Sequence, residues 1–332
     1  MVQCKPIPNT RRMAATMAGT GLTVVDRIYA SDLHAPIQAL GGSCGNVLVS
    51  LAMLGHHVAP ILSLGADAHG DFLFEELQKA GCRTDYVFRG SDRHSSVIVQ
   101  YIDAPAGRHW FTSTCPETRR PFPPFSSIDE LDLDEVRHAF PSFAVFYADR
   151  LSSAILGAME EAFTAGALVL FEPAGHDDNA LLLRALKFCS ILKLSDETAG
   201  SRFAVGDLDP SLVIIRTHGA RGLTVCFRKS ERFFQAVPAP RLVDSSGSGD
   251  MVTTGLLDRL LSSWHRGNDQ SIETIYEGLI SGQRLAAMNC AFAGARGAFL
   301  ALGAACARRT LDAELDDPLL EHALSVGPYQ GY

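Results

Sequence analysis

No Cys-x-x-Cys and no paired Cys/His spacing occurs among the eight cysteines (Cys4, Cys44, Cys82, Cys115, Cys189, Cys226, Cys290, Cys306), which stand singly along the chain. That spacing excludes a disulfide framework or a zinc module and fits free thiols in a reducing cytoplasm, the expected location. Long apolar runs are missing too: charge, glycine or proline interrupts each one before the roughly 18 residues of a membrane span, so no membrane partner is expected. Positive charge is in deficit, with 29 Lys and Arg against 37 Asp and Glu and a formal net charge of -8. A phosphate backbone would meet net repulsion, and nucleic acid is not expected as a partner. No internal repeat or low-complexity linker is found, and no G-x-G-x-x-G follows the first strand, which argues against a dinucleotide-dependent dehydrogenase. Residues 1–12 carry Lys5, Pro6, Pro8, Arg11 and Arg12 but no apolar core of a secretory signal; a flexible tail is expected there, with Met13 as an alternative start.

What is present is enough apolar residue, 47% of 332, for one large core. Short apolar runs alternate with helix-period segments, the pattern of a mostly parallel sheet wrapped by helices. Strands are expected at Leu22–Val25, Ile61–Leu64, Phe143–Tyr147, Leu168–Phe171, Ile191–Leu194, Val213–Arg216 and Leu223–Phe227. A helix is expected from Asn46 to Leu54 with Gly55 as its stop, and another from an Asp71 cap to Gly81. Between Ser95 and Thr112 the period changes to two, which predicts an inserted hairpin acting as a flap, and the proline-rich Cys115–Ile128 is expected to run along it.

The most informative stretch is Arg241–Leu261, where an extended segment ends in a glycine-rich turn and opens an apolar-striped helix. Such a turn leaves backbone N–H groups unpaired at a helix N-terminus, and Gly247 and Gly249 let an anion approach closely. Asp250 falls in the first helical turn, where a carboxylate can take the proton of an attacking hydroxyl while the amides hold the charge of a transferring group. A tight turn with Asp250 as a mere helix cap is the competing reading.

Asp244–Asp250, DSSGSGD, resembles the D-T-x-G-A-G-D signature of the ribokinase/PfkB sugar and nucleoside kinases, with Ser245 for Thr and Ser248 for Ala. In the same order, GLTVVD (Gly21–Asp26) resembles that family's first strand and GGSCGN (Gly41–Asn46) its substrate loop. THGARG (Thr217–Gly222) resembles its nucleotide loop, and NCAFAGARGA (Asn289–Ala298) its C-terminal helix and turn. The resemblance implies a doubly wound α/β/α sandwich over residues 13–332, with a small β lid from segments near 27–40 and 94–125. It implies Asp250 as the base and Gly247, Ser248 and Gly249 as the anion hole. Asp26, Gly42 and Asn46 would hold the hydroxyls of a small sugar or nucleoside; Thr217, Gly219 and Gly222 would line the phosphates of ATP, with Asn289 near the base or ribose. Mg2+ is implied as a cofactor. The family's N-x-x-E after the strand at 191–194 reads Ser195, Asp196, Glu197, Thr198 here, so Glu197 or Asp196 would take the metal-related role, or the phosphates alone would hold magnesium. Asp244 and Ser246 resemble positions of a monovalent-cation site, for K+ for example, with a turn-stabilising Asp244 as the alternative. The implied activity is ATP-dependent phosphorylation of a hydroxyl. A kinase for an already phosphorylated sugar, begun by Arg108, and a non-catalytic sensor are the alternatives. The free edge of a lid strand makes a homodimer through the lid an expectation.

Overall fold

The computed structural model describes residues 16–30, 35–103, 108–174, 179–196, 209–266 and 271–313. Residues 1–12 and Glu197 lie outside this set. Five strands of the main sheet run parallel side by side: β1 (Thr16–Thr20), β4 (His57–Pro60), β9 (Phe143–Ala148), β10 (Leu168–Phe171) and β11 (Ile191–Ser195), with β4 at one edge. β12 (Val213–Thr217) continues them in parallel, and β13 (Gly222–Phe227) and β14 (Ser230–Gln235) close one edge antiparallel, giving the order β14-β13-β12-β11-β10-β9-β1-β4. Alternate residues of these strands enter two separate cores. Met17, Val145, Tyr147, Leu170 and Ile215 pack on one face under α1 (Ser43–Met53), α2 (Ala68–Lys79), α6 (Ser248–Arg266) and α7 (Ile272–Asn289). Ala18, Phe146, Val169, Phe171 and Ile214 pack on the other under α3 (Glu130–Val136), α4 (Ser153–Thr164) and α5 (Asn179–Ala185). Burial on both faces is why these strands read as continuous apolar runs.

A second, four-stranded sheet stands apart, in the order β3 (Ile37–Gly41), β2 (Val24–Ala30), β7 (Val97–Asp103), β8 (Arg108–Thr112). Its inner face sets Ile28 and Ile102 against Ala293, while Tyr29, Tyr101 and Trp110 stack along the outer face with 5.2 Å between successive ring centroids. Phe122 of the proline-rich segment lies under the guanidinium of Arg27 and Ser96 donates to the carbonyl of Pro123 at 2.7 Å, so that segment does run along this sheet.

Several expectations need correcting. The first strand of the main sheet is Thr16–Thr20; Leu22–Val25 instead leads into the small sheet, because the chain turns at Gly21. Leu62–Leu64 of the expected Ile61–Leu64 strand falls in β5 (Leu62–Gly65), which pairs with β6 (Val87–Gly90) in a separate ribbon, while the strand of the main sheet is β4, ending at Pro60. The cap of α2 is Asp67, whose side chain accepts from the Gly70 amide at 2.7 Å; Asp71 sits in the first turn. α1 begins at Ser43 behind Gly42, three residues before Asn46.

The placing of α6 matters most for function. Gly255 of α6 and Gly282 of α7 meet backbone to backbone, so that a Cβ on Gly255 would stand 2.3 Å from the Gly282 Cα. Farther along α6, Asp258 is gripped by His56 Nε2 at 2.6 Å and by both terminal nitrogens of Arg308 at 2.9 and 2.7 Å. Close packing and a buried polar clamp thus fix the helix that presents Asp250.

Candidate active site

Asp250 sits half-buried in the first turn of α6, and Asn46 Nδ2, from the second turn of α1, donates to its Oδ2 at 2.8 Å. Asn46 is itself buried and no described group donates to its Oδ1, so the side chain serves the carboxylate rather than capping its own helix. Burial raises Asp250 to about 8, helped by the Glu172 carboxylate and opposed by the Asn46 bond and the Lys193 charge.

Charged residues at the carboxyl ends of the central strands surround it, where open α/β sheets place their ligands. Glu172, just past β10, pairs with the buried ammonium of Lys193 on β11 and accepts from Thr253 Oγ1 at 2.9 Å and from the Tyr147 hydroxyl at 3.3 Å. Lys193 also donates to the Gly249 carbonyl at 3.2 Å, which ties the pair to the turn. Asp149, after β9, accepts from the amides of Leu22 at 2.8 Å and Cys44 at 3.2 Å and from the Ser43 hydroxyl, clamping the Gly21–Cys44 crossing; burial raises its proton affinity against the Arg150 charge. None of Glu172, Lys193 or Asp149 figured among the expected site residues. The available signal was a charged residue at or beside the end of an apolar strand.

The turn itself separates two kinds of glycine. Gly247 has φ +70, and a Cβ there would stand 2.5 Å from Ala295, so packing alone demands it. At Gly249 a Cβ would meet nothing nearer than the Lys193 Nζ at 3.6 Å. No contact within the described chain requires glycine at 249. The amides of Gly249 and Asp250 begin the helix without an acceptor among the described residues, while the Ser248 hydroxyl turns back to the Ser245 carbonyl at 2.7 Å.

Asp26, on β2, is buried with its carboxylate over the Gly41 backbone, where a Cβ would lie 1.9 Å from Oδ2. Burial raises it to about 7, with the Arg296 guanidinium holding it down and Asp244 pushing it up. Gly42, at φ +81, passes 2.4 Å under the Leu22 carbonyl in Cβ terms and opens α1. Asp26, Gly42 and Asn46 are thus brought to one place, the start of α1.

At the other end, Thr217, Gly219 and Gly222 form the β12–β13 turn, with Gly219 at φ +58 and Gly222 at φ +123 against the Phe234 carbonyl. His218 and Arg221 of this turn hold Asp196, at 2.8 and 2.6 Å, and the His218 bond lowers the Asp196 carboxyl. The His218 ring and the Arg221 guanidinium occupy the carboxylate that the sequence offered as a metal alternative. Among the described residues no group of three His, Cys, Asp or Glu could hold a metal ion. Asn289 is a correction. It is fully buried, its amide donates to the carbonyls of Ala295 at 3.1 Å and Gly294 at 3.3 Å, and its oxygen accepts from the Ala298 amide at 3.0 Å. Its side chain staples the 290–298 loop.

A model of the pfkB family carbohydrate kinases matches residues 20–297. The chain belongs to that family. It is an ATP-dependent carbohydrate kinase. A fructokinase of Salmonella typhimurium is 28% identical over 272 residues, 73% of this chain and 83% of that protein. Among solved structures, ribokinase from Giardia lamblia superposes with a TM-score of 0.71 at 15% identity, over 90% of this chain and 99% of that one. Aminoimidazole riboside kinase from Salmonella enterica, complexed with aminoimidazole riboside and an ATP analog, gives 0.67 at 21%, over 89% and 99%. The ribokinase-like fold of this carbohydrate kinase, with its mixed central sheet and smaller second sheet, is therefore as the resemblance implied.

Proposed function

We propose that this kinase transfers the γ-phosphoryl group of ATP to a hydroxyl of a small free sugar, with a ketohexose such as fructose as the first candidate, and with Asp250 as the base. One observation carries the reading: a carboxylate of raised proton affinity, aimed by Asn46, beside a helix-opening turn whose Gly249 no internal contact requires. The substrate O–H gives its proton to Asp250 as the oxygen bonds to the γ-phosphorus, and the bond from phosphorus to the bridging oxygen breaks to release ADP. Amides at 249 and 250 would hold the equatorial oxygens, and Thr217, Gly219 and Gly222 would line the rest of the phosphate chain. Asp26 suits a polyol, since an ionised carboxylate accepts from two hydroxyls. Magnesium, carried on the phosphates, supplies neutralising charge.

The choice of fructose is supported by the curated relatives, which are named fructokinases at 24 to 28% identity. An already phosphorylated sugar is less well served: Arg108 is three-quarters exposed and paired with Asp103 on the hairpin. Pairing of two copies through the small sheet is part of the same reading, supported by the outer row of Tyr29, Tyr101 and Trp110, the last 53% exposed. ADP release from Mg-ATP over fructose, other free sugars, fructose 6-phosphate and nucleosides tests the substrate. Turnover confined to nucleosides or to the phosphorylated sugar would refute it, and a monomer by sedimentation would refute the pairing.

A further inference from the structure

Asp244 opens the turn that carries the anion hole, and its fully buried carboxylate is saturated with donors. Oδ1 accepts from the amide of Ser246 at 2.9 Å and its hydroxyl at 2.7 Å, and faces His109 Nδ1 at 3.3 Å. Oδ2 accepts from Gln100 Nε2 and from the Gly294 amide, each at 2.8 Å. The same Gln100 nitrogen donates to Ser246 Oγ at 2.6 Å. A carboxylate offers about four lone-pair sites, and the four hydrogen bonds to Oδ1 and Oδ2 fill them. Ser246 and Gly294 are local; Gln100 and His109 come from the small sheet, on β7 and β8.

The resemblance puts a monovalent cation beside Asp244 and Ser246, and the residues present do not fit one. Such an ion needs oxygens with free lone pairs, whereas here the side-chain oxygens of both residues are taken up by N–H and O–H groups. We propose that Gln100, with His109 beside it, replaces the monovalent cation at Asp244, so that the small sheet holds the anion-hole turn and potassium is not required. The Gln100 side chain is a positioning group, acting on the turn through Asp244 and Ser246. The cost is visible: Gln100 is 1% exposed and its Oε1 has no donor among the described residues. Turned over, the amide would set that oxygen against the carboxylate, two acceptors face to face, which only an intervening cation could hold. The nitrogen-inward arrangement is the one that dispenses with the ion.

The test compares potassium, sodium and tetramethylammonium chloride at equal ionic strength. A ligand that binds only the folded state raises the melting temperature as its concentration passes its Kd, so wild-type protein should melt at the same temperature in all three salts. Thallium(I) soaked into crystals should give no anomalous peak at Asp244. Gln100→Glu and Gln100→Ala take one of the two donors from Oδ2, and should acquire a potassium-specific rise in melting temperature and about tenfold or greater potassium activation of ADP release. A saturable potassium effect on wild-type melting, a thallium peak at Asp244 in wild type, or folded variants indifferent to potassium would each overturn the proposal. Should the variants not fold, the wild-type salt series and the thallium map decide alone. The activity arm rests on the kinase reading above; absence of turnover in every salt refutes that reading, while melting and scattering still judge the cation.

Discussion

Asp250→Asn keeps the shape of the side chain and removes its charge, which should stabilise the protein while disabling it. The folded chain holds a proton on Asp250 up to about 8, whereas the ordinary value, expected in the unfolded chain, is 3.8. For a carboxyl raised on folding, the stabilising contribution is complete below the unfolded value and is lost as pH climbs toward the folded one. At pH 7 linkage sets the full loss at about 4 kcal/mol. The cleft is half open to water and Asp250 is coupled to Glu172, so roughly half of that, about 2 kcal/mol, is the working figure. Asparagine has no charge to desolvate and can still accept from Asn46, so the variant should melt roughly 3 to 6 °C higher near pH 7.5. Its melting temperature should also lose the Asp250 share of the fall in stability between about pH 4 and 8, leaving that of the other raised carboxyls, Asp26 and Asp149. Meanwhile kcat should fall by about two to four orders of magnitude with sugar KM little changed. Scanning calorimetry across that pH range, paired with ADP release, measures both. A variant that melts no higher than wild type refutes the buried-charge argument, and turnover within about tenfold of wild type refutes the base.

Gly249→Ala should leave the melting temperature within about 2 °C, since its Cβ meets only ordinary contacts, yet lower kcat at least about tenfold by crowding the anion hole; unchanged kcat would return the turn to a structural role. Gly41→Ala would drive a Cβ into the Asp26 carboxylate, raising sugar KM about tenfold or more while ATP KM stays put; equal rises in both would point to a general distortion. Lys193→Met leaves Glu172 facing Asp250 without its cation, which should cost about 3 kcal/mol in denaturant unfolding and move the rising, acid-side limb of the pH–rate profile to higher pH. In wild type, kcat/KM should rise between about pH 6 and 8 as Asp26 and Asp250 ionise, and a flat profile there would contradict both assignments.

The strands that sequence reading placed best are those buried on both faces: Leu168–Phe171 agrees to the residue, and Phe143–Ala148 and Ile191–Ser195 each extend one residue farther than expected. β1 escaped because Thr16, Gly19 and Thr20 break its apolar run, and β14 because SERFFQ is an exposed edge with almost no apolar alternation. Asp250 was legible from the glycine-rich turn that precedes it and Asn46 only through the family resemblance; their hydrogen bond, across 204 positions, was legible through neither. Glu172 and Lys193 were not legible even so. A lysine inside ILKLS looks like a flaw in a strand until its partner, 21 positions away, is seen beside it. Asn289 shows the converse, a motif residue whose position was marked while its work, stapling a loop, was not.

The close seating of α6 on α1 and α7 has a consequence for synthesis on the ribosome. α1 exposes Val47, Leu48 and Leu51 until α6 arrives about two hundred residues later, and at roughly 5–20 residues per second that interval lasts about 10 to 40 s. Arg296 reaches the Leu40 carbonyl across 256 positions and Arg308 the Leu54 carbonyl across 254, so the N-terminal elements stay unsealed until the last helices emerge. Nascent chains stalled before α6 should therefore bind chaperones and be cut readily by protease. Emergence of α6 and of the segments carrying Arg296 and Arg308, rather than growth of the first half, is the event that makes the site.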